Sequence, residues 1–241
     1  MRPRTRRVRP FLACLLAAGL AVGMLAPATP ASAAKGLPGI DLSSYEPTVN
    51  WTKVGDGPKR FLIMRASHGD EADTSYDSHR AGAASIGMAF GAYHYATPRG
   101  GRADAIEQAN FFLANATPAS GDLLPVLDME DAGGLSDGRL ADWIAVWLNR
   151  VRRATGVRPM IYTSPSFWIE RVGNTRRFAN HGYRLWIAHW QVRNPWVPAG
   201  NWGGKGWTFW QWSACGDVNG IPGCIDMDRY AGDNLHKVMI P

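Results

Sequence analysis

Apolar, β-prone runs recur along the chain at Gly39 to Leu42, Phe61 to Ala66, Ala89 to Ala96, Leu123 to Glu130, Met160 to Thr163, Leu185 to Trp190, Thr208 to Ser213 and Ile225 to Tyr230. Between the first five lie stretches of helical character: a short one at Trp51 to Val54, then Tyr76 to Ile86, Ala103 to Ala114 and Leu140 to Ala154. Ala105, Ala109, Phe112 and Leu113 in the third, and Ile144, Trp147, Leu148 and Val151 in the fourth, recur at the three- and four-residue steps that place side chains on one helix face. After Met160 to Thr163 only a short helical piece, Phe167 to Val172, precedes three further strands joined by loops. Eight strands alternating with helices predict an α/β protein, a parallel barrel whose last third is poor in helices. An open doubly wound sheet is the alternative, but no Gly-x-Gly-x-x-Gly follows the first strand.

The N-terminal segment breaks this pattern. Arg2, Arg4, Arg6, Arg7 and Arg9 precede an apolar run from Phe11 to Leu25, and small residues surround Ala31 to Ala34. These are the three regions of a secretory signal peptide, expected over residues 1–34. The run is shorter than the 18 or so apolar residues of a membrane span. Residues 35–241 then form one expected domain, with no linker, charge run or repeat inside it. The product is expected outside the cell, with no membrane attachment once the signal is removed.

Charge changes meaning once that segment is set aside. The full chain carries +6, but all five charges of residues 1–34 are positive, so the remainder carries +1. The basic balance belongs to the export signal and gives no support to a nucleic-acid surface. Cys14 leaves with the signal as well. Cys215 and Cys224 remain, and two cysteines in an exported chain read as one disulfide, closing the Gly-rich loop 216–223. A metal pair is the lesser reading, because no Cys-x-x-Cys or nearby His completes a zinc set.

The chemistry centres on Asp128-Met129-Glu130, which closes the apolar run Leu123-Leu124-Pro125-Val126-Leu127. Alternation along a strand sends residues i and i+2 to one face, so Asp128 and Glu130 are expected to point together. Two neighbouring carboxyls at the end of a buried strand must be desolvated or share a proton, which raises one pKa. A protonated carboxyl beside an ionised one suits glycoside hydrolysis. The plainer alternative is a strand end whose acids cap the next helix or pair with an arginine. Asp41 in the first strand and Asp226 in the last are brought near by barrel closure, so that four acids are expected at one mouth. Of eleven tryptophans, eight fall from Trp168 onward, and Trp186, Trp190, Trp207, Trp210 and Trp212 lie on segments expected to wall that mouth. Flat aromatic faces cover the apolar faces of sugars, although aromatics also fill barrel cores.

Other chemistries find less support. His68, His94 and His189 lie near strand ends without a His-Glu-x-x-His spacing, so no metal site is expected. Ser164 and Ser166 lack a Gly-x-Ser-x-Gly elbow, and Gly100-Gly101 has no Lys-Ser/Thr sequel. Nothing calls for a cofactor.

Gly39-Ile40-Asp41-Leu42-Ser43 with Tyr45, Gly91-Ala92-Tyr93-His94-Tyr95, Pro125 to Glu130, Ile161-Tyr162-Thr163, Leu185-Trp186-Ile187-Ala188, Trp210-Gln211-Trp212 and Ile225-Asp226 together resemble glycoside hydrolase family 25, the Chalaropsis-type lysozymes. The resemblance implies a modified (β/α)5(β)3 TIM-like barrel and a 1,4-β-N-acetylmuramidase acting on bacterial peptidoglycan, expected as a monomer. It makes Glu130 the general acid and Asp128 the neighbour that orients the substrate acetamido group or stabilises its charged form. Asp41 and Asp226 shape the same pocket, and Tyr93, Tyr162 and Trp190 contact the sugar. Glu46 stands where the family usually has Gln, and Asp228 where it usually has Asn, which makes the mouth more acidic. The two rival readings are a chitinase-like endo-N-acetylglucosaminidase, whose longer Asp-x-x-Asp-x-Asp-x-Glu run is missing here, and an exported binding protein without turnover.

Overall fold

The computed structural model describes residues 36–241, and the signal sequence expected over 1–34 lies outside them. Strands β1 (Leu37–Leu42), β2 (Phe61–His68), β4 (Ala89–Tyr95), β5 (Val126–Asp128), β6 (Met160–Thr163), β7 (Arg184–Ala188), β8 (Phe209–Val218) and β9 (Ile221–Tyr230) close into a barrel, and the two-residue β3 (Glu71–Ala72) hangs on the edge of β2. Pairing runs β1-β9-β8-β7-β6-β5-β4-β2 and returns to β1. Helices α1 (Trp51–Gly55), α2 (Tyr76–Ser85), α3 (Arg102–Ala116), α4 (Asp137–Thr155), α5 (Pro165–Arg171) and α6 (Arg177–Asn180) fill the connections up to β7.

Each of the eight apolar runs forms one barrel strand, but the barrel is not wholly parallel. β9 runs antiparallel to both β8 and β1. The reason is the short link between Ser213 and Ile225. A parallel crossover takes a dozen or more residues and usually a helix, whereas a hairpin needs only a turn. The Gly-rich stretch expected as a loop is instead the outer part of this hairpin: β8 and β9 pair as far as Val218 and Ile221 across an Asn219-Gly220 turn. The Cys215–Cys224 disulfide links its two arms. The hairpin tip rests on α1, where Asn50 N–H donates to the Gly220 carbonyl at 2.8 Å. Gly220 has φ +100°, and a Cβ there would meet the Asn50 carbonyl oxygen at 2.6 Å.

Between β7 and β8 the polypeptide makes a single left-handed turn, with Ala199, Gly200, Asn201 and Trp202 all near φ 50–63°. L-residues avoid that conformation. Here Trp202 is buried and donates from Nε1 to the Tyr183 carbonyl at 2.8 Å, while Asn174 Oδ1 accepts from the Ala199 N–H at 2.7 Å.

Side-chain alternation divides the core into two. Outward positions such as Ile40, Leu62, Met64, Leu127, Ile161, Leu185 and Ile187 pack against the helices, chiefly Phe112 of α3 and Trp143, Trp147 and Leu148 of α4. Inward positions Phe61, Ile63, Val126, Met160, Trp186, Phe209 and Tyr230 fill the lower barrel, which Leu124 and Val238 of the C-terminal 3-10 turn (Leu235–Val238) close from below. Above that apolar plug the inward positions turn polar. In β1 the inward residues are Gly39 and then Asp41, and Gly39 leaves room for the Phe61 ring, which a Cβ would approach to 2.2 Å. Gly39→Ala is expected to overpack this layer at a cost of about 1–3 kcal/mol, read as a lowered midpoint in denaturant unfolding.

Candidate active site

Asp41, Asp128, Glu130 and Asp226 line one cavity of about 180 Å3 at the carboxyl ends of the parallel strands, together with Tyr93, Tyr162 and Trp186. Strand register explains the convergence. Asp41 pairs with Asp226 across β1 and β9, and Gly39 with Asp228 one inward step below. Asp128 pairs with Tyr95 on one side and Tyr162 on the other. β5 ends at Asp128, so Glu130 lies just past the strand. The chain nonetheless stays extended beside β6: Met129 N–H donates to the Tyr162 carbonyl at 2.9 Å, and Thr163 Oγ1 donates to the Met129 carbonyl at 3.0 Å. Met129 is thereby buried among the outward core residues, and Asp128 and Glu130 fall on the opposite face.

Asp128 is buried, whereas Glu130 stands exposed at the mouth. Burial, and next the charge of Glu130, push the Asp128 carboxyl well above the ordinary range, against a weaker lowering by Arg65. Burial of the carboxyl and then Asp226 raise Glu130. Asp226 is raised to about 6 by burial and by Glu46. No protein donor reaches the buried Asp128 Oδ1 among the described residues.

Beneath Asp41 lies a polar chain that the sequence reading did not assemble. Asp41 and Asp228 are neighbouring buried carboxyls that interact electrostatically, and no donor reaches Asp228 Oδ2 among the described residues. Trp186 Nε1 donates to Asp228 Oδ1 at 2.8 Å, and Gln211 Nε2 donates to Asp41 Oδ2 at 2.8 Å. Gln211 Oε1 in turn accepts from the Tyr162 hydroxyl and from Trp190 Nε1, each at 2.9 Å. Burial and neighbouring carboxylates hold the Tyr162 hydroxyl well above its usual pKa, so it remains a donor. Burial, followed by Asp228 and Asp226, pushes Asp41 well up, and burial places Asp228 at about 7. One proton shared between the two carboxyls satisfies both without leaving two buried charges.

Arg65 is the second group missed. It lines the cavity, donates from Nε to Asp73 Oδ2 and from Nη2 to Ser44 Oγ, each at 2.8 Å, and lies over the Tyr45 ring at 5.1 Å. Its signal was present in the sequence: Arg65 and Gln211 are polar residues at the inward step of otherwise apolar strands, after Phe61 and Ile63 in β2 and after Phe209 in β8.

The tryptophans divide. Trp186 lies under the cavity. Trp190, about half exposed, walls an adjoining cavity of about 570 Å3 that Glu130 shares with Ser164, Pro165 and His189. Trp207, Trp210 and Trp212 do not wall the mouth: Trp210 and Trp212, alternating with Phe209 and Gln211, face the outer core, Trp207 packs against it from just before β8, and Trp210 donates to the His189 carbonyl at 2.9 Å. His94 is buried outside the barrel, between Ser67 Oγ at 2.8 Å and Gln108 Oε1 at 3.1 Å and stacked on Trp147, with burial lowering its pKa to about 4. Among the described residues no group of three or more His, Cys, Asp or Glu is placed to hold a metal ion.

A barrel whose mouth gathers carboxyls with separated proton affinities beside an aromatic-walled groove defines a glycoside hydrolase. The sequence pattern of glycosyl hydrolases family 25 matches residues 40–221, and the chain belongs to that family. Lysozyme M1 of Streptomyces globisporus is 33% identical over 207 residues, 82% of this chain and 68% of that protein. N,O-diacetylmuramidase of Chalaropsis sp. is 35% identical over 205 residues, covering 78% and 95%. The bacterial lysozyme from Streptomyces coelicolor superposes with a TM-score of 0.77 at 30% identity, over 85% of this chain and 95% of that one. The family match stops before Asp226 and Asp228, which reach the site through the antiparallel pairing of β9 with β1.

The raised carboxyls link stability to pH. Asp226 at about 6 and Asp228 at about 7 keep their protons in the folded state at pH values where an unfolded carboxyl near 3.8 has released them. Their contribution is fully present below about pH 4 and lost as pH rises through 6 to 7. Asp228→Asn removes one titrating group, so the fall in melting temperature between pH 5 and pH 8 is expected to be shallower than in the parent. An unchanged slope in parallel thermal scans contradicts the shared-proton arrangement.

Proposed function

We propose that this chain is a secreted lysozyme that hydrolyses the β-1,4 bond following N-acetylmuramic acid in bacterial peptidoglycan. Residues 1–34 are its signal peptide, and residues 35–241 its single catalytic domain. The observation that carries the catalytic reading is the contrast within Asp128-Met129-Glu130. Glu130, at the mouth with a raised pKa, is the general acid that protonates the leaving oxygen. Asp128, buried beside it with an unpaired carboxyl oxygen, receives the N–H of the substrate acetamido group. That contact aims the acetamido oxygen at the anomeric carbon, so the bond breaks with assistance from the substrate itself. Asp41 and Asp226 keep the floor of the pocket acidic. Tyr93 and Tyr162 contact the sugar from within the barrel, and Trp190 offers its exposed face across the groove.

The raised pKa of Glu130 moves the alkaline limit of activity to higher pH than an ordinary glutamate allows, because the acid must carry its proton. Glu130→Gln is expected to lower kcat by about 100-fold or more, with wall binding retained. Mass spectrometry of borohydride-reduced fragments from purified peptidoglycan tests both claims. Muramitol ends from the parent and none from the variant are expected, whereas N-acetylglucosaminitol ends move the enzyme to the glucosaminidases. NMR of the first product anomer is expected to show retention, and inversion removes the acetamido-assisted route.

A further inference from the structure

The flank of the barrel carries a second feature that the pocket chemistry leaves unused. Residues 36–241 hold twenty basic and twenty acidic side chains, yet arginines gather on one stretch of this flank. A groove between α3 and α4 is lined by Arg102, Arg150, Arg153 and Arg177, with Asp142 as its one acid. A second groove shares Ala145, Asn149 and Arg177 with the first and adds Arg152 and Arg158. Together they form one track with six arginines to one carboxylate. Helical spacing accounts for its path. Arg102 and Ile106 lie one turn apart on α3, and Asp142, Val146, Asn149 and Arg153 follow one stripe of α4. Helices of a β/α barrel start at the mouth end, so the track runs from Arg102 near the mouth toward Arg153 and Arg158 at the opposite end.

The local pairing leaves most of this charge uncompensated. Arg177 meets Asp142 at 2.6 Å, and Arg150 donates from Nε to Asn110 Oδ1 at 2.7 Å, which fixes those two guanidinium groups. The floor is apolar, from Ile106, Ala145 and Val146 in the first groove to Phe178 and Tyr183 in the second. All six cations are arginine, whose planar fork bonds phosphate through two nitrogens, whereas lysine offers a point charge. An elongated cationic track with an apolar floor fits a linear polymer of alternating phosphodiester and short polyol units.

We propose that this track binds a polyol-phosphate chain of the kind attached to bacterial cell walls, holding the enzyme on its substrate while the mouth works on the glycan. The choice of a wall polymer rests on the function proposed above, so binding is measured apart from hydrolysis and either can fail alone. The probe is soluble poly(glycerol phosphate), titrated against the parent and against Arg102→Gln/Arg153→Gln/Arg158→Gln. A tenfold or greater loss of affinity is expected in the variant, with the slope of log affinity against log salt falling by roughly one per phosphate contact removed. Walls stripped of phosphodiester polymers with hydrofluoric acid are expected to lose the salt-sensitive part of parent binding, while parent and variant digest those stripped walls at equal rates.

Equal affinity of parent and variant for the polymer overturns the proposal, as does undiminished parent binding to stripped walls. Tighter arginine-dependent binding of duplex DNA than of poly(glycerol phosphate) overturns it in favour of a generic polyanion surface. A charge-reversed variant at the same three positions, checked for an unchanged melting temperature, keeps the comparison decisive should the glutamine variant be poorly folded.

Discussion

The barrel closes on two neighbouring buried carboxyl groups. Asp41 on the first strand and Asp228 on the last meet beneath the mouth, and neither is reached by much solvent. Such a pair is tolerated only if a proton is shared and the remaining oxygens find donors. Trp186 and Gln211 supply those donors, and Gln211 passes the constraint on to Tyr162 and Trp190. Floor, wall and groove of the site are thus oriented through one buried amide and one shared proton. The apolar plug below, from Phe61 to Tyr230, excludes water and so raises the proton affinities above it.

The same logic separates the two acids of Asp128-Met129-Glu130. Residues 128 and 130 share a face because β5 and its extension stay flat against β6, but the strand ends between them. One carboxyl remains inside the low-dielectric barrel and the other reaches the rim. Two carboxyls two positions apart acquire different surroundings from depth alone. Arg65 tempers the inner acid without reaching it directly, since its hydrogen bonds go to Asp73 and Ser44.

Much of this was legible in the sequence, and the losses have physical causes. The eight strand runs were readable because buried strands are continuous apolar stretches. Alternation alone placed Asp128 with Glu130, and closure brought Asp41 toward Asp226. The direction of β9 was misread because strand propensity carries no sign, although the short link after Ser213 excluded a crossover. Trp210 and Trp212 were assigned to the groove by composition, where counting inward steps from Phe209 sends them outward. Gln211 stood out only as a polar residue at an inward step of β8, and the strand alone does not tell which groups it joins. Its importance arises only when β8, β6 and β1 are side by side.

Topology also sets a timetable. The pocket needs β9 against β1, and β9 is synthesised after every other barrel strand, locked to its partner by a disulfide and seated on α1 by its turn. Asp226 and Asp228 are missing from any nascent chain that stops before β9, and with them part of the cavity's floor. A polypeptide built this way has no assembled acid pocket until every barrel strand is made, which postpones hydrolysis of the glycan until the barrel can close.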